Sequence, residues 1–214
     1  MKKTFMVMAL LLLPAAINAQ FIKAIGFKAG GMVSQYKYEY KINGVYENND
    51  PDNYTAVNYG IYGEFFNLPL VSVLAEINYV EKGARMKVPI TDAQHPDGTG
   101  QFTTLKFEND YLNISLLAKV RLESSICTPY VFLGPKVDYE LKRSGEYASF
   151  VNEADYNKLR FGFKTGIGTE VKIFAIHLFA EVVYDKDLGY LYNSTALRIT
   201  SSAADFRGGF FINL

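Results

Sequence analysis

The residues with chemistry to offer are few. His95 and His177 are the only imidazoles among 214 residues. His177 stands in IHLFAEVVYD (176–185), and a Ser–His–acid hydrolase would need a serine within hydrogen-bond reach of it. The positions two residues away, on its side of an extended chain, are Ala175 and Phe179. A packed histidine is therefore expected there, and a lipid hydrolase is the least supported reading. His95 lies in TDAQHPDGTGQ (91–101) between Asp92 and Asp97. An imidazole and two carboxylates form a metal-binding set in some proteins, but this run reads as a solvated turn. Asn48-Asn49-Asp50-Pro51-Asp52-Asn53 is also turn chemistry and lacks the full spacing of a calcium loop. Cys127 is the single cysteine, so neither an internal disulfide nor a Cys-x-x-Cys site is available. No phosphate loop, zinc signature or nucleophile elbow occurs. The chain is expected to be no enzyme and to carry no metal and no cofactor. Its formal net charge is zero, which removes the basic footprint that nucleic-acid binding requires.

What the chain does hold is a set of charged residues in one phase: Lys28, Glu64, Glu76, Lys119, Arg121, Lys136, Asp138, Arg160, Lys164, Glu170, Glu181 and Arg207. Their neighbours are apolar. In 112–122, Leu112, Ile114, Leu116, Ala118, Val120 and Leu122 oppose Asn113, Ser115, Lys119 and Arg121. In 176–185, Ile176, Leu178, Ala180, Val182 and Tyr184 oppose His177, Glu181 and Asp185. A period of two is the mark of a strand with one apolar face, and helical spacing fits neither window. Eight such segments are expected: 23–34, 56–66, 71–84, 107–122, 129–142, 158–171, 176–186 and 206–214. Short connections (67–70, 123–128, 172–175) strictly alternate with long polar ones (35–55, 85–106, 143–157, 187–205). In an up-and-down barrel alternate connections share a rim. Outer-membrane barrels place short turns in the periplasm and long loops outside, with both termini periplasmic.

A soluble barrel is apolar inside and charged outside, and a membrane barrel reverses this. Gly26, Gly30, Gly60, Gly134, Gly162, Gly166 and Gly168 share the charged face, where a crowded lumen favours missing side chains. Tyr59, Tyr79, Tyr139, Phe161, Tyr184 and Phe206 fall near one set of strand ends on the apolar face, with Phe65 and Phe210 near the other, as interfacial girdles do. The fold expected is all-β: an eight-stranded antiparallel up-and-down transmembrane β-barrel. The charged set would then be a structural network filling the lumen. The N-terminus agrees. Lys2 and Lys3 precede an apolar run, Phe5 to Leu13, and Ile17-Asn18-Ala19 is an acceptable cleavage site. A signal peptide over 1–19, cleaved after Ala19, and a barrel domain over 20–214 in the outer membrane are expected. The run is too short to span a bilayer as a helix, which takes about 20 residues. The final strand alternates up to Leu214, a pattern suited to barrel-insertion machinery.

In the first long connection, YKYEYKINGVYENN (36–49) alternates on both sides of Asn43-Gly44, a strong hairpin signal. Tyr36, Tyr38, Tyr40, Tyr46 and Tyr54 are candidates for an exposed recognition tip.

Three stretches carry a resemblance: VLAEINYVEKGA (73–84), DYLNISLLAKVRL (110–122) with PYVFLGPKVDYELK (129–142), and FGFKTGIGTEV (161–171). On them the chain resembles the PorT-like outer-membrane β-barrel domain family of Bacteroidota, over essentially the whole mature length. The resemblance implies a small eight-stranded barrel in a Gram-negative outer membrane. Members often end in an aromatic residue, where this chain has Leu214. One branch is linked to secretion across the outer membrane, so an accessory role in protein secretion is the alternative to a structural or surface-interaction role through four long extracellular loops. The partners expected are outer-membrane lipids, the barrel-assembly machinery during insertion, and a possible extracellular or periplasmic protein.

Overall fold

The computed structural model describes residues 22–42, 45–48, 51–66, 68, 70–90, 99–122, 127–145 and 155–214. The expected signal peptide, His95 with its two aspartates, and Asn49–Asp50 lie outside them. Ten strands follow in order: β1 (Ile22–Ile42), β2 (Val45–Asn48), β3 (Asp52–Phe65), β4 (Val71–Pro89), β5 (Phe102–Arg121), β6 (Thr128–Ser144), β7 (Leu159–Ile173), β8 (Ile176–Asp187), β9 (Tyr192–Asn193) and β10 (Leu197–Asn213). All pair antiparallel. β1, β3, β4, β5, β6, β7, β8 and β10 form a ring that β1 closes against β10 from Ala24↔Asn213 to Tyr40↔Leu197. The fold is thus the eight-stranded up-and-down barrel that the alternation implies, and closure leaves no sheet edge along the wall.

The strands run past the expected ends on the long-loop side. β1 continues to Ile42, β4 to Pro89, and β10 begins at Leu197. Lengths of 12 to 21 residues exceed the roughly 9–11 that a tilted strand needs to cross a bilayer, so the barrel stands proud of the membrane. β2 pairs back on β1, with Ile42 opposite Val45 and Glu39 opposite Asn48. This is the hairpin expected around Asn43-Gly44. At the other end Phe174 and Ala175 alone join β7 to β8, with Ile173 opposite Ile176. Phe174 has φ +57°, the sign that a two-residue II′ hairpin turn requires at its first position.

Burial follows the period of two. Ile61, Leu116, Leu133, Phe161, Ile167, Val182 and Phe206 are exposed on the outer face, as lipid-facing residues are. Tyr59 stacks on its cross-strand partner Tyr79 at 5.1 Å within one aromatic girdle. Phe27 and Phe210 pair at 6.4 Å near the other rim. Inside, apolar side chains gather in three places. Tyr62, Tyr130, Phe132, Phe179 and Phe211 make a collar in the short-turn half. Tyr36, Phe107, Tyr156, Leu191 and Ile199 close the long-loop mouth. Met32, Tyr54, Ala56, Val80 and Ala203 line one wall between them.

Candidate functional site

The lumen is the candidate site, because every strand of the closed ring delivers a buried polar side chain to it. All twelve charged residues of the single-phase set are buried. Ion pairs tie them into groups stacked along the barrel axis. Nearest the short turns, Glu64 meets Lys23 (3.1 Å), Lys119 (3.2 Å) and Arg121, while Lys119 also reaches Glu170. In the middle, Glu76 and Glu181 are shared by Lys28, Lys164 and Arg207, with Lys164–Glu76 at 3.0 Å and Arg207–Glu181 at 2.6 Å. Above this, Asp138, Asp185 and Asp187 face Lys82, Lys136 and Arg160. Lys82 bridges three strands: its Nζ lies 2.9 Å from Asp138 on β6 and 2.9 Å from Asp185 on β8.

Ligand atoms of the three aspartates lie within 4.8 Å of one another, a spacing that elsewhere holds a divalent cation. Here three protein cations meet three carboxylates, so the charge is already matched. Asn113 and Asn78 join these layers by hydrogen bonds to Asp138 and Glu76. The arrangement holds charges still inside a low-dielectric wall and presents no free nucleophile.

Glycines make the packing possible. Gly26 lies opposite Tyr62, Gly166 opposite Phe132, Gly168 opposite Tyr130 and Gly209 opposite Phe179. In each pair the ring lies over the bare backbone. A Cβ on Gly168 would fall 2.5 Å from the Tyr130 ring, and one on Gly166 would fall 2.4 Å from Phe132. Covering an unadorned glycine with a cross-strand aromatic is a known way of stabilising a curved sheet. The Tyr130 hydroxyl so placed donates to Glu181 (3.0 Å), and Lys119 Nζ sits 4.2 Å from the ring centre.

The mouth is closed by residues from the loops. Leu191 and Tyr156 are buried there, and Tyr156 bridges Tyr192. The Tyr156 hydroxyl donates to Glu140 and accepts from Asn109 at 2.7 Å, and Arg143 lies 3.4 Å from its ring centre. Burial, then Tyr111 and Glu140, push the Tyr156 phenol well above its ordinary range, so it stays a donor.

One expectation needs correction. Tyr36 and Tyr54 are buried at 0% and 6% exposure and do not belong to an exposed tip. Tyr36 shares the inward phase of Met32 and Ser34, and its ring packs edge-on against Phe107 at 5.9 Å. Tyr54 donates to Glu81 at 2.6 Å and carries Arg85 at 5.0 Å from its ring centre. Tyr38 and Tyr40 are half-buried and stack at 6.2 Å; the side chain of Tyr46 lies outside those described. His177 stacks on Phe211 at 4.5 Å, with Nε2 3.1 Å from Asn213, a packed histidine at the short-turn rim. Lys82, Glu140, Asp185, Asp187 and Asp205 are buried in the lumen as well and were not in the expected set. Their signal was present: each keeps the inward phase of its strand.

A closed antiparallel ring with an apolar outer band, aromatic girdles and a polar interior defines an integral membrane barrel of the outer-membrane class. The sequence matches the family model described as outer membrane protein beta-barrel domain over residues 18–192. The chain belongs to that family, whose members reside in the outer membrane. No curated protein matches the sequence. Among solved structures the chain is similar to the outer membrane protein OprG from Pseudomonas aeruginosa, at 10% identity, covering 91% of this chain and 97% of that one, with a TM-score of 0.49. It is similar to AlkL in lipid bilayers, at 16% identity, 91% and 92% coverage and a TM-score of 0.48. It is also similar to the outer membrane protease OmpT from Escherichia coli, at 8% identity, 90% and 97% coverage and a TM-score of 0.48. No activity is carried over from likenesses this distant.

Proposed function

We propose that the protein is a non-enzymatic outer-membrane barrel with a structural or surface-interaction role exerted through its loops, delivered by a signal peptide cleaved after Ala19. The observation that supports this best is the filled lumen. The space among Lys28, Tyr62, Glu76, Lys119 and Tyr130 amounts to about 10 Å³, roughly room for one water molecule. Aromatic packing lies on both sides of the charged layers. A barrel so filled is unsuited to general diffusion, which leaves the loops as the working surface. Single-channel recording in planar bilayers tests the reading. No steady conductance is expected, and a large, steady one would overturn it.

The strand motifs over 73–84, 110–142 and 161–171 favour a finer assignment to the PorT-like branch in Bacteroidota, and with it the accessory role in secretion. Deleting the gene and comparing secreted proteins separates the two roles, because unchanged secretion removes the second. For the hydrolase reading, His177→Ala with unaltered lipid A would dispose of it.

A further inference from the structure

Asp205 is buried in the lumen. It projects inward from β10, where Met32 of β1 and Val183 of β8 flank it in register and Ala203 and Arg207 flank it along the strand. Its Oδ1 accepts no hydrogen bond, and among the described residues no cation lies at ion-pairing distance. Arg207, two residues on, is turned to Glu181 and Glu76 instead. The neighbouring polar groups on this wall are also unpartnered. Both amide atoms of Asn58 and the hydroxyl of Ser201 lack hydrogen bonds. The register places them on one wall: Asn58 and Arg207 both face Gly30, Asp205 and Ala56 both face Met32, and Ser201 faces Tyr36.

The same wall carries small residues, Gly30, Ala56, Gly60 and Ala203, among its charged residues Lys28 and Arg207 and its rings Tyr36, Tyr54 and Tyr62. Unpaired buried polar atoms are the setting in which ordered water is held, typically through about three hydrogen bonds per molecule.

We propose that the β10–β1–β3 wall holds a proton-binding site in which Asp205 is the acceptor and water is the carrier. The proton arrives on water: an O–H bond forms at the Asp205 carboxylate as the hydronium O–H bond breaks, leaving neutral water and a carboxylic acid. The charged groups bearing on Asp205 are Arg207 on its own strand, Asp185 on β8, Lys164 on β7 and Lys82 on β4. All four are engaged in the ion pairs described above. Loading Asp205 therefore breaks no salt bridge. Two influences oppose each other at this carboxyl. Burial favours the neutral acid. The middle layer, with three cations to two carboxylates, carries one surplus positive charge that favours the anion. Their opposition makes exchange feasible at Asp205, whereas Asp138 and Asp185 hold direct lysine contacts.

The test is infrared difference spectroscopy on the folded barrel in lipid vesicles, taken between about pH 8 and about pH 5.5, below which ordinary carboxylates begin to protonate. Wild type and Asp205→Asn are compared, with heat-modifiable gel migration confirming that the variant is folded. The wild type is expected to gain a protonated-carboxyl band that shifts on transfer to heavy water and is missing in Asp205→Asn. The same spectrum in both proteins, or a band that does not shift in heavy water, would overturn the proposal. If Asp205→Asn does not fold, carbon-13 NMR of aspartate carboxyls in the wild type decides. The Asp205 resonance is expected to titrate within this range; a fixed Asp205 resonance would overturn the proposal.

Discussion

The two sides of the lumen wall treat buried polarity in opposite ways. On the β4–β8 side, long charged side chains reach across the barrel and find one another. Lys82, Lys136 and Arg160 are matched against Asp138, Asp185 and Asp187, with Asn113 hydrogen-bonded between layers. On the β10–β1–β3 side Lys28, Glu64 and Arg207 are paired, but Asn58, Ser201 and Oδ1 of Asp205 lack protein partners. Ser34 spends its hydroxyl there on a backbone repair. It accepts from Gly83 N and donates to Gly83 O, both at 2.9 Å, next to the break in β3–β4 pairing between Asn53 and Asn58. One stretch of wall is stiffened by charge pairing, and the other holds a carboxyl outside any ion pair of the described residues. Buried pairs are weak evidence for net stability, but breaking one is costly because a charge is left alone.

That asymmetry predicts where substitution hurts. Lys82→Met leaves three aspartates with two cations, and about 3–5 kcal/mol of stability should be lost, the usual penalty for an orphaned buried charge. The urea midpoint for folding in lipid vesicles reads this directly. Adding Asp138→Asn in the same chain restores the balance and should recover much of the loss. If Lys82→Met alone loses less than about 1 kcal/mol, water already shields that layer and the two walls are not different in kind.

The glycine–aromatic pairs give a second contrast, between inner and outer face. Gly168→Ala puts a methyl 2.5 Å from the Tyr130 ring and 2.8 Å from the backbone oxygen of Ala180. Tyr130 would have to leave Glu181 and Lys119, and overpacking of this sort typically costs about 1–3 kcal/mol. Gly31→Ala on the outer face of β1 meets nothing within 4 Å and should stay within about 0.5 kcal/mol of wild type, as featureless surface positions do. Equal losses in the two variants would mean that strand propensity, not the ring above the glycine, governs these sites.

Much of this was legible in the sequence, for a physical reason. In a membrane barrel the alternation of lipid-facing and lumen-facing residues is a solvent contrast, and it survives wherever one face meets hydrocarbon. Lys28, Glu76, Lys119 and Arg207 declare themselves that way. The contrast fades above the outer girdle, where both faces meet water. The expected ends at residue 34 of β1 and residue 206 of β10 therefore fall short of Ile42 and Leu197. Asp205 and Asp187 stand one position outside the expected segments for the same reason. Lys82 and Asp185 were inside them and in phase, so extending the alternation consistently would have included both. Register carries no such signal. That Gly168 faces Tyr130, or that Lys82 spans to Asp185 across the barrel, depends on strand stagger, which only closure of the ring sets. Tyr36 and Tyr54 show the converse error: aromatic residues in a loop-like stretch suggested a surface, while their phase pointed inward.

The smallest expected effect is also the sharpest test of the β10–β1–β3 wall. Both polar atoms of the Asn58 amide lack protein partners, and leucine is of similar size. If the space beside it were dry, Asn58→Leu would remove an unmet desolvation penalty and raise stability by about 1–3 kcal/mol. If water fills that space, the amide already has its hydrogen bonds, and the apolar gain is offset by the bonds that water loses. Water-mediated bonds are nearly as good as direct ones, so the net change should be below about 1 kcal/mol in either direction. A clear gain would show a dry wall and deprive Asp205 of its proton carrier. A loss as large as that of Lys82→Met would mean that Asn58 is held as firmly as the charged lattice opposite, and the distinction between the two walls would fail at the residue chosen to define it.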